Sequence, residues 1–271
     1  MSEEPDTRLA DEVDAERRFG GLRRLYGETA YVHLRALTMA VVGVGGVGSW
    51  VAEALARSGV AGLVLIDLDH VAESNINRQV QALGSTVGQA KVYALRERIA
   101  DIHPGCRVDM VEDFVEPANW PALLPRPVDA LVDACDQVRA KAALAAWARS
   151  TGVPVVCVGA AGGKRQPQRV EVGDLAEVTH DPLLASLRQR LRREHDAPRQ
   201  GRMGLTCVYS REAVLRPEAA CAVDSSANDG GTPAMDGSLN CHGYGSSVMV
   251  TAAFGMAAAA AAIERALSKP L

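Results

Sequence analysis

A short apolar stretch, Leu37–Val42, runs straight into Gly43-Val44-Gly45-Gly46-Val47-Gly48-Ser49, and a helix-forming segment, Val47–Ser58, follows. A strand that passes into a helix through glycines is the setting of a phosphate-binding turn. Gly43 permits the tight bend, Gly45 and Gly46 let the backbone approach a phosphate, and Gly48 lets helix and strand pack closely. The helix N-terminus then offers N–H groups to negative charge. Asp67 ends the next strand, Leu63–Asp67, where an acidic side chain meets ribose hydroxyls. Strand, loop, helix and acid in this order favour a nucleotide site over a bare glycine turn.

The rhythm around that loop predicts the sheet. Arg17–Leu37 has helical spacing, with apolar Leu22, Leu25, Val32 and Leu34. Val87–Ile102 is a predicted helix closed by the stop signal His103-Pro104-Gly105, and Arg139–Thr151 is another. Arg107–Val111, Ala130–Cys135 and Val153–Val158 are predicted strands, with a loop and short helix at Pro117–Leu124. Strands separated by helices imply a parallel sheet covered on both faces. The expected fold is therefore α/β: a doubly wound, mostly parallel Rossmann-like sheet.

After Gly159 the pattern changes. Gly159–Gly163 is a flexible turn, Arg169–Val172 and Leu205–Tyr209 read as strands, and Asp181–His195 reads as a helix with Asp181 as N-cap and Pro182 at its first position. This is a smaller C-terminal α+β segment. The expected division is a disordered acidic tail over 1–14, a nucleotide-binding domain over 15–163, and a segment over 164–271 containing a mobile Ser/Asn/Asp/Gly-rich loop at 216–245, all in one continuous fold. Val248–Ile263 is uncharged, yet shorter than a membrane span and rich in alanine, so a buried helix with close contacts explains it better.

A net charge of −4 rules out a general nucleic-acid binder and leaves room only for a local basic patch. Six cysteines occur without a CxxC pair, which removes the spacing signature of a zinc site or a disulfide framework. Cys135 and Cys157 fall in predicted strands and read as core. Cys241, with no base beside it in the loop, reads as a bystander thiol. The six histidines do not cluster, so no histidine metal site is expected. The acidic start lacks an apolar signal core, and the cytoplasm is the expected compartment.

The glycine loop alone would serve an NAD-dependent oxidoreductase equally well. The polar cluster after the second strand would not. Asp67 and Asp69 lead into Ser74-Asn75-Ile76-Asn77-Arg78-Gln79, Lys91 follows, and Asp133-Ala134-Cys135-Asp136 ends a third strand. Ligands of such sheets sit at that carboxyl edge. Arg and Lys neutralise phosphate oxygens and Asp holds a metal, so the set suits ATP with Mg2+.

The ordered set GVGGVGS, LIDLDHV, SNINRQ, VGQAK and DACD resembles the ubiquitin-activating-enzyme-like superfamily of adenylating enzymes. The resemblance implies that 15–163 is an ATP-binding adenylation domain. It implies that Gly46 and Asp67 contact the nucleotide, Asn75 and Arg78 meet phosphates, Lys91 grips the triphosphate and Asp136 binds Mg2+. It also implies a homodimer in which a partner's N-terminal arginine completes the site, with Arg18 and Arg24 as candidates here. Two features depart from the sulfur-carrier activators: the zinc CxxC pairs are missing, and no catalytic-cysteine loop is evident. The segments Arg18–Gly21, Arg24–Gly27, Gly162-Gly163, Asp181–Leu183, Cys207–Ser210, Gly243–Gly245 and Val250–Gly255 instead resemble the superfamily's tRNA-modifying branch, which cyclises threonylcarbamoyladenosine. That likeness implies activation of a carboxylate on tRNA, with residues 164–271 covering the substrate and forming the dimer. It turns the arginine-rich stretch Arg188–Arg202 from a solvated face into a candidate tRNA patch, with Arg188, Arg192 and Arg193 as contacts. A sulfur-transfer protein is a further candidate partner, and adenylation of a ubiquitin-like sulfur carrier is the alternative function.

Overall fold

The computed structural model of the chain describes residues 7–215 and 244–268. The expected mobile loop, with Cys221 and Cys241, therefore lies outside the described residues apart from Tyr244 and Gly245. Strands β1 (Thr38–Val42), β2 (Gly62–Ile66), β3 (Arg107–Val111), β4 (Ala130–Asp133), β5 (Val155–Val158), β6 (Val170–Asp174) and β7 (Thr206–Ser210) form one sheet in the order β3-β2-β1-β4-β5-β7-β6. All pairings are parallel except β6 with β7. The C-terminal strands thus extend the same sheet, with β7 paired to β5.

Because side chains alternate along a strand, each central strand feeds two cores. Met39, Val41, Leu63, Leu65, Val132 and Val156 point to one face, where α3 (Gly48–Arg57), α4 (Lys91–Ile102) and α7 (Val248–Leu267) pack. Ala40, Val42, Val64, Ile66, Leu131 and Cys157 point to the other, under α5 (Val138–Thr151) and α6 (Pro182–Glu194). Both faces are dry, which is why these strands are runs of Val, Leu and Ile. Fully burying one such side chain contributes about 1.5–3 kcal/mol.

Helix α7 has the length and hydropathy of a membrane span, and it is packed instead into the first core through Val250, Phe254, Ala258, Ala262 and Ala266. Gly255 allows the close approach to α3: a Cβ there would lie 2.6 Å from Trp50 Cβ and 2.9 Å from the Val47 carbonyl oxygen.

The N-terminal expectations need correction. Helix α1 spans Thr7–Tyr26, so half of the predicted tail is helical. Leu9, Ala10, Glu12, Ala15 and Glu16 are good or acceptable helix formers, and no Gly or Pro interrupts them before Gly20. Arg17–Leu37 is not one helix: Gly27, at φ 80°, breaks it, and α2 (Glu28–Leu34) ends before β1. The helix expected from Val87 starts only at Lys91, because residues 84–89 form turns and a bend and Ala90 is extended.

Helix α1 is held to the body by an aromatic and cationic cluster. Arg18 donates to the Asp101 and Ile102 carbonyls at the end of α4 (3.0 and 2.7 Å). Phe19 packs against the His103 ring at a tilt of 57° with centroids 4.7 Å apart, and the Arg35 guanidinium lies over Phe19 at 4.6 Å. Burial, together with Arg35 and Arg18, lowers the His103 pKa to about 4. The imidazole is thus neutral at neutral pH, and its Nε2 accepts from Arg35 at 3.0 Å.

Candidate functional site

The order reverses between β1 and β4, since β2 follows β1 on one side and β4 lies on the other. Loops leaving the carboxyl ends of these strands diverge there and leave a crevice. A cavity of about 270 Å³ occupies it, lined by the ends of β1 and β2 and by the segments after β3 (Asp113–Val115), β4 (Ala134–Gln137) and β5 (Gly159–Gly162).

The glycine loop has the geometry its sequence predicts. Gly43 has φ 79° and its missing Cβ would touch the Cys135 N–H and the Ala134 carbonyl at 3.0–3.1 Å. At Gly48 no side chain fits at all, since a Cβ would lie 1.8 Å from the Gly43 oxygen. The N–H groups of Gly45, Gly46 and Val47 find no acceptor among the described residues, and they precede the N-terminus of α3. Free donors beside a helix N-terminus are the arrangement that suits an anion.

Asp67, Asp69, Asn75, Arg78, Lys91 and Asp136 all line the cavity. The buried Asp67 carboxylate accepts from the Val44 N–H (2.8 Å) and the Asp69 N–H (2.9 Å), so it also fixes the glycine loop. Each oxygen keeps a lone pair for a ligand hydroxyl. Burial raises the Asp67 pKa above the ordinary carboxylate value, against Lys91 and the two N–H donors. Lys91, almost fully buried at the start of α4, binds Asp69 at 2.6 Å and lies 4.0 Å from Asp67. Asn75 is buried and uses Oδ1 to accept from the Ala72 N–H. Its side chain lines the cavity. The Arg78 guanidinium donates to the Ser74 carbonyl (2.6 Å) and Asn77 Oδ1 (2.9 Å), contacts with an exposed side that a phosphate can replace.

The structure separates the two acids of Asp133-Ala134-Cys135-Asp136. Asp136 is exposed at the cavity, whereas Asp133 is fully buried and paired with Lys141 at 3.1 Å. Lys141 also donates to the Val158 carbonyl (2.8 Å) and so ties the ends of β4 and β5 together. Burial disfavours the Lys141 charge, but the charge and hydrogen bond of Asp133 together with Cys135 and Cys157 outweigh it, and the pKa is raised. Cys135 lies just past the end of β4, half-buried, packed against the second core and also lining the cavity. Burial and Asp133 raise its thiol pKa far above the ordinary value, which keeps it un-ionised. Cys157 is buried in β5 as expected.

Three contributors were not among the expected site residues. Phe114 lines the cavity while 41% exposed, an aromatic face open to a planar ligand. Thr251, from α7, reaches the glycine loop from the far end of the chain; a Cβ on Gly46 would meet its methyl at 3.3 Å, and its hydroxyl donates to the Arg78 carbonyl at 3.3 Å. The segment Gly159–Gly162 forms a wall of backbone. Only the α7 contact, a pairing distant in sequence, was beyond any local pattern.

The arginine stretch is less free than its composition suggests. Arg188 donates to the Leu175 and Val178 carbonyls (3.0 and 2.9 Å) and holds the turn before α6. Arg192 bonds the Pro198 carbonyl, and Arg193 pairs with Glu194 at the surface. Such exposed pairs contribute at most about 1 kcal/mol and yield readily to a phosphate. Arg18 is engaged at the end of α4, and Arg24 is exposed.

Comparison with known proteins adds the following. The ThiF family model matches residues 19–270. The chain is 43% identical over 257 residues to the tRNA threonylcarbamoyladenosine dehydratase of Escherichia coli (strain K12), covering 93% of this chain and 94% of that one. Two crystal structures of the E. coli enzyme, in complex with ATP and with AMP, superpose with TM-scores of 0.80 and 0.81 at 40% identity, covering 93% of this chain and 95% of each of those chains.

Proposed function

The chain belongs to the ThiF family, and on that premise we propose that it is an ATP-dependent tRNA threonylcarbamoyladenosine dehydratase. The observation that carries the reading is full-length similarity to an enzyme of that name solved with ATP, on a chain whose own cavity offers the groups a triphosphate needs. The ribose meets Asp67, and the base lies against Phe114. The phosphates lie on the N–H groups of Gly45, Gly46 and Val47, with Asn75, Arg78 and Lys91 around them. Asp136, exposed and without an ion-pair partner among the described residues, suits Mg2+ held chiefly by phosphate oxygens. The ion supplies charge neutralisation on the triphosphate.

The carboxylate of the threonylcarbamoyl group attacks the α-phosphorus, and pyrophosphate leaves. The carbamoyl group of the same side chain then attacks the activated carbonyl carbon, closing a ring, losing a proton and expelling AMP. The oxygen of the lost water thus departs on AMP. Lys91 and Arg78 stabilise charge on the leaving phosphates. The second step is intramolecular, so holding the side chain in its cyclising conformation supplies much of the acceleration. No protein nucleophile is needed, which agrees with an un-ionised Cys135.

Around this centre, Arg192 and Arg193 are the proposed tRNA contacts, with Arg188 reassigned to structure. The proposed homodimer places Arg24 of one copy at the other's phosphates, and exposed Met249 and Met256, one face of α7, form an apolar surface for pairing. A sulfur-transfer protein as partner and the cytoplasm as location belong to the same proposal. Incubation with ATP, Mg2+ and tRNA carrying threonylcarbamoyladenosine should convert the nucleoside to one lighter by a single water. An unchanged nucleoside, with adenylation of a ubiquitin-like carrier instead, would replace this reading by its rival.

A further inference from the structure

If ATP lies along the ends of β1 and β2, the carboxylate to be activated must enter from the β4–β5 side, where the wall is Gly159–Gly162. Behind that wall lies Asp181, 3% exposed. Its Oδ1 accepts from the Leu184 N–H at 3.0 Å and so caps α6. Its Oδ2 accepts from the Ala160 N–H at 2.9 Å. Ala160 and Leu183 both line the cavity, one from each segment that this carboxylate joins. The fit is tight: a Cβ on Gly159 would lie 2.1 Å from Asp181 Oδ2. Gly163, at the end of the wall, is tied on both sides as well, donating to the Gly245 carbonyl (2.9 Å) and accepting from the Leu215 N–H (2.8 Å).

We propose that Asp181 is a positioning residue for the acyl substrate: its carboxylate joins Ala160 to the first turn of α6 and thereby sets the shape of the pocket end that receives the threonylcarbamoyl group. A plain helix cap needs one oxygen, and serine or asparagine supplies it. The second oxygen is used only on the wall. The proposal rests on the substrate reading above for what enters the pocket, but not for the anchor itself.

Asp181→Asn separates the two roles, because it keeps one acceptor for Leu184 and turns an NH2 toward Ala160. Asp181→Ser keeps the cap and does not reach the wall. Both should retain the folded state. Hydrogen exchange at Ala160 should accelerate about tenfold or more with protection of the Leu184 N–H unchanged, as loss of one charged hydrogen bond implies. The KM for threonylcarbamoyladenosine-containing tRNA should rise about tenfold while the KM for ATP stays within about twofold, since a positioning loss at one end of the site spares the other. Unchanged exchange at Ala160, or equal rises in both KM values, would overturn the proposal. If the parent protein leaves that tRNA unmodified, the substrate reading fails, and the exchange data still decide whether Asp181 holds the wall.

Discussion

At the β2 end of the pocket, charged side chains face the cavity: Asp67, Asp69 and Lys91 present carboxylates and an ammonium to whatever binds. At the β5 end the cavity meets backbone, Gly159–Gly162, and the charged groups Lys141 and Asp181 are buried behind it, bonded to the Val158 carbonyl and the Ala160 N–H. The first end can recognise phosphates and hydroxyls directly. The second fixes shape. A site that must hold charge in one place and fold a flexible side chain onto itself in another has reason to be built both ways.

The largest effect expected from breaking this contrast is at Lys91. Lys91→Met keeps the buried stem and removes the charge, and turnover should fall about a hundredfold or more, as losing one preorganised contact to a developing charge does. The KM for tRNA should change little. Turnover within about threefold of the parent would remove Lys91 from the phosphate site.

A smaller pair of effects should run in opposite directions. Asp67→Asn should weaken ATP binding by about 1–3 kcal/mol, measured by calorimetry, without changing tRNA binding. The double variant Arg192→Gln, Arg193→Gln should leave ATP binding alone and lower the slope of log tRNA affinity against log salt by roughly one to two units. If the double variant binds tRNA with the parent's slope, the RNA surface is not on α6.

The same contrast explains what could be read from the sequence. The β2 end was legible because each of its residues is polar and directly follows a strand or opens a helix, as with Asp67 and Lys91. The glycine loop was legible because backbone geometry demands glycine there, most severely at Gly48. The sheet followed from apolar runs of Val, Leu and Ile separated by helical segments, since strands buried on both faces have no polar alternation. The β5 end was not legible. A wall of backbone has no residue-type signature, and Asp181 announces a helix cap whether or not its second oxygen does anything. Asp133 and Asp136 look alike in sequence, and only the position of Lys141 one helical turn into α5 turns one inward. Composition also counts guanidinium groups without showing what they touch: the carbonyls of Leu175 and Val178 accept from Arg188.

In the proposed reaction ATP activates the substrate's own carboxylate as an adenylate. Heavy oxygen placed in the threonylcarbamoyl carboxylate tests it most directly, with mass analysis of the nucleotide products after one round of reaction. The label should appear in the phosphate of AMP, because the oxygen lost as water leaves with the adenylyl group. Label in inorganic phosphate with ADP as coproduct, or in neither nucleotide nor phosphate, would contradict it.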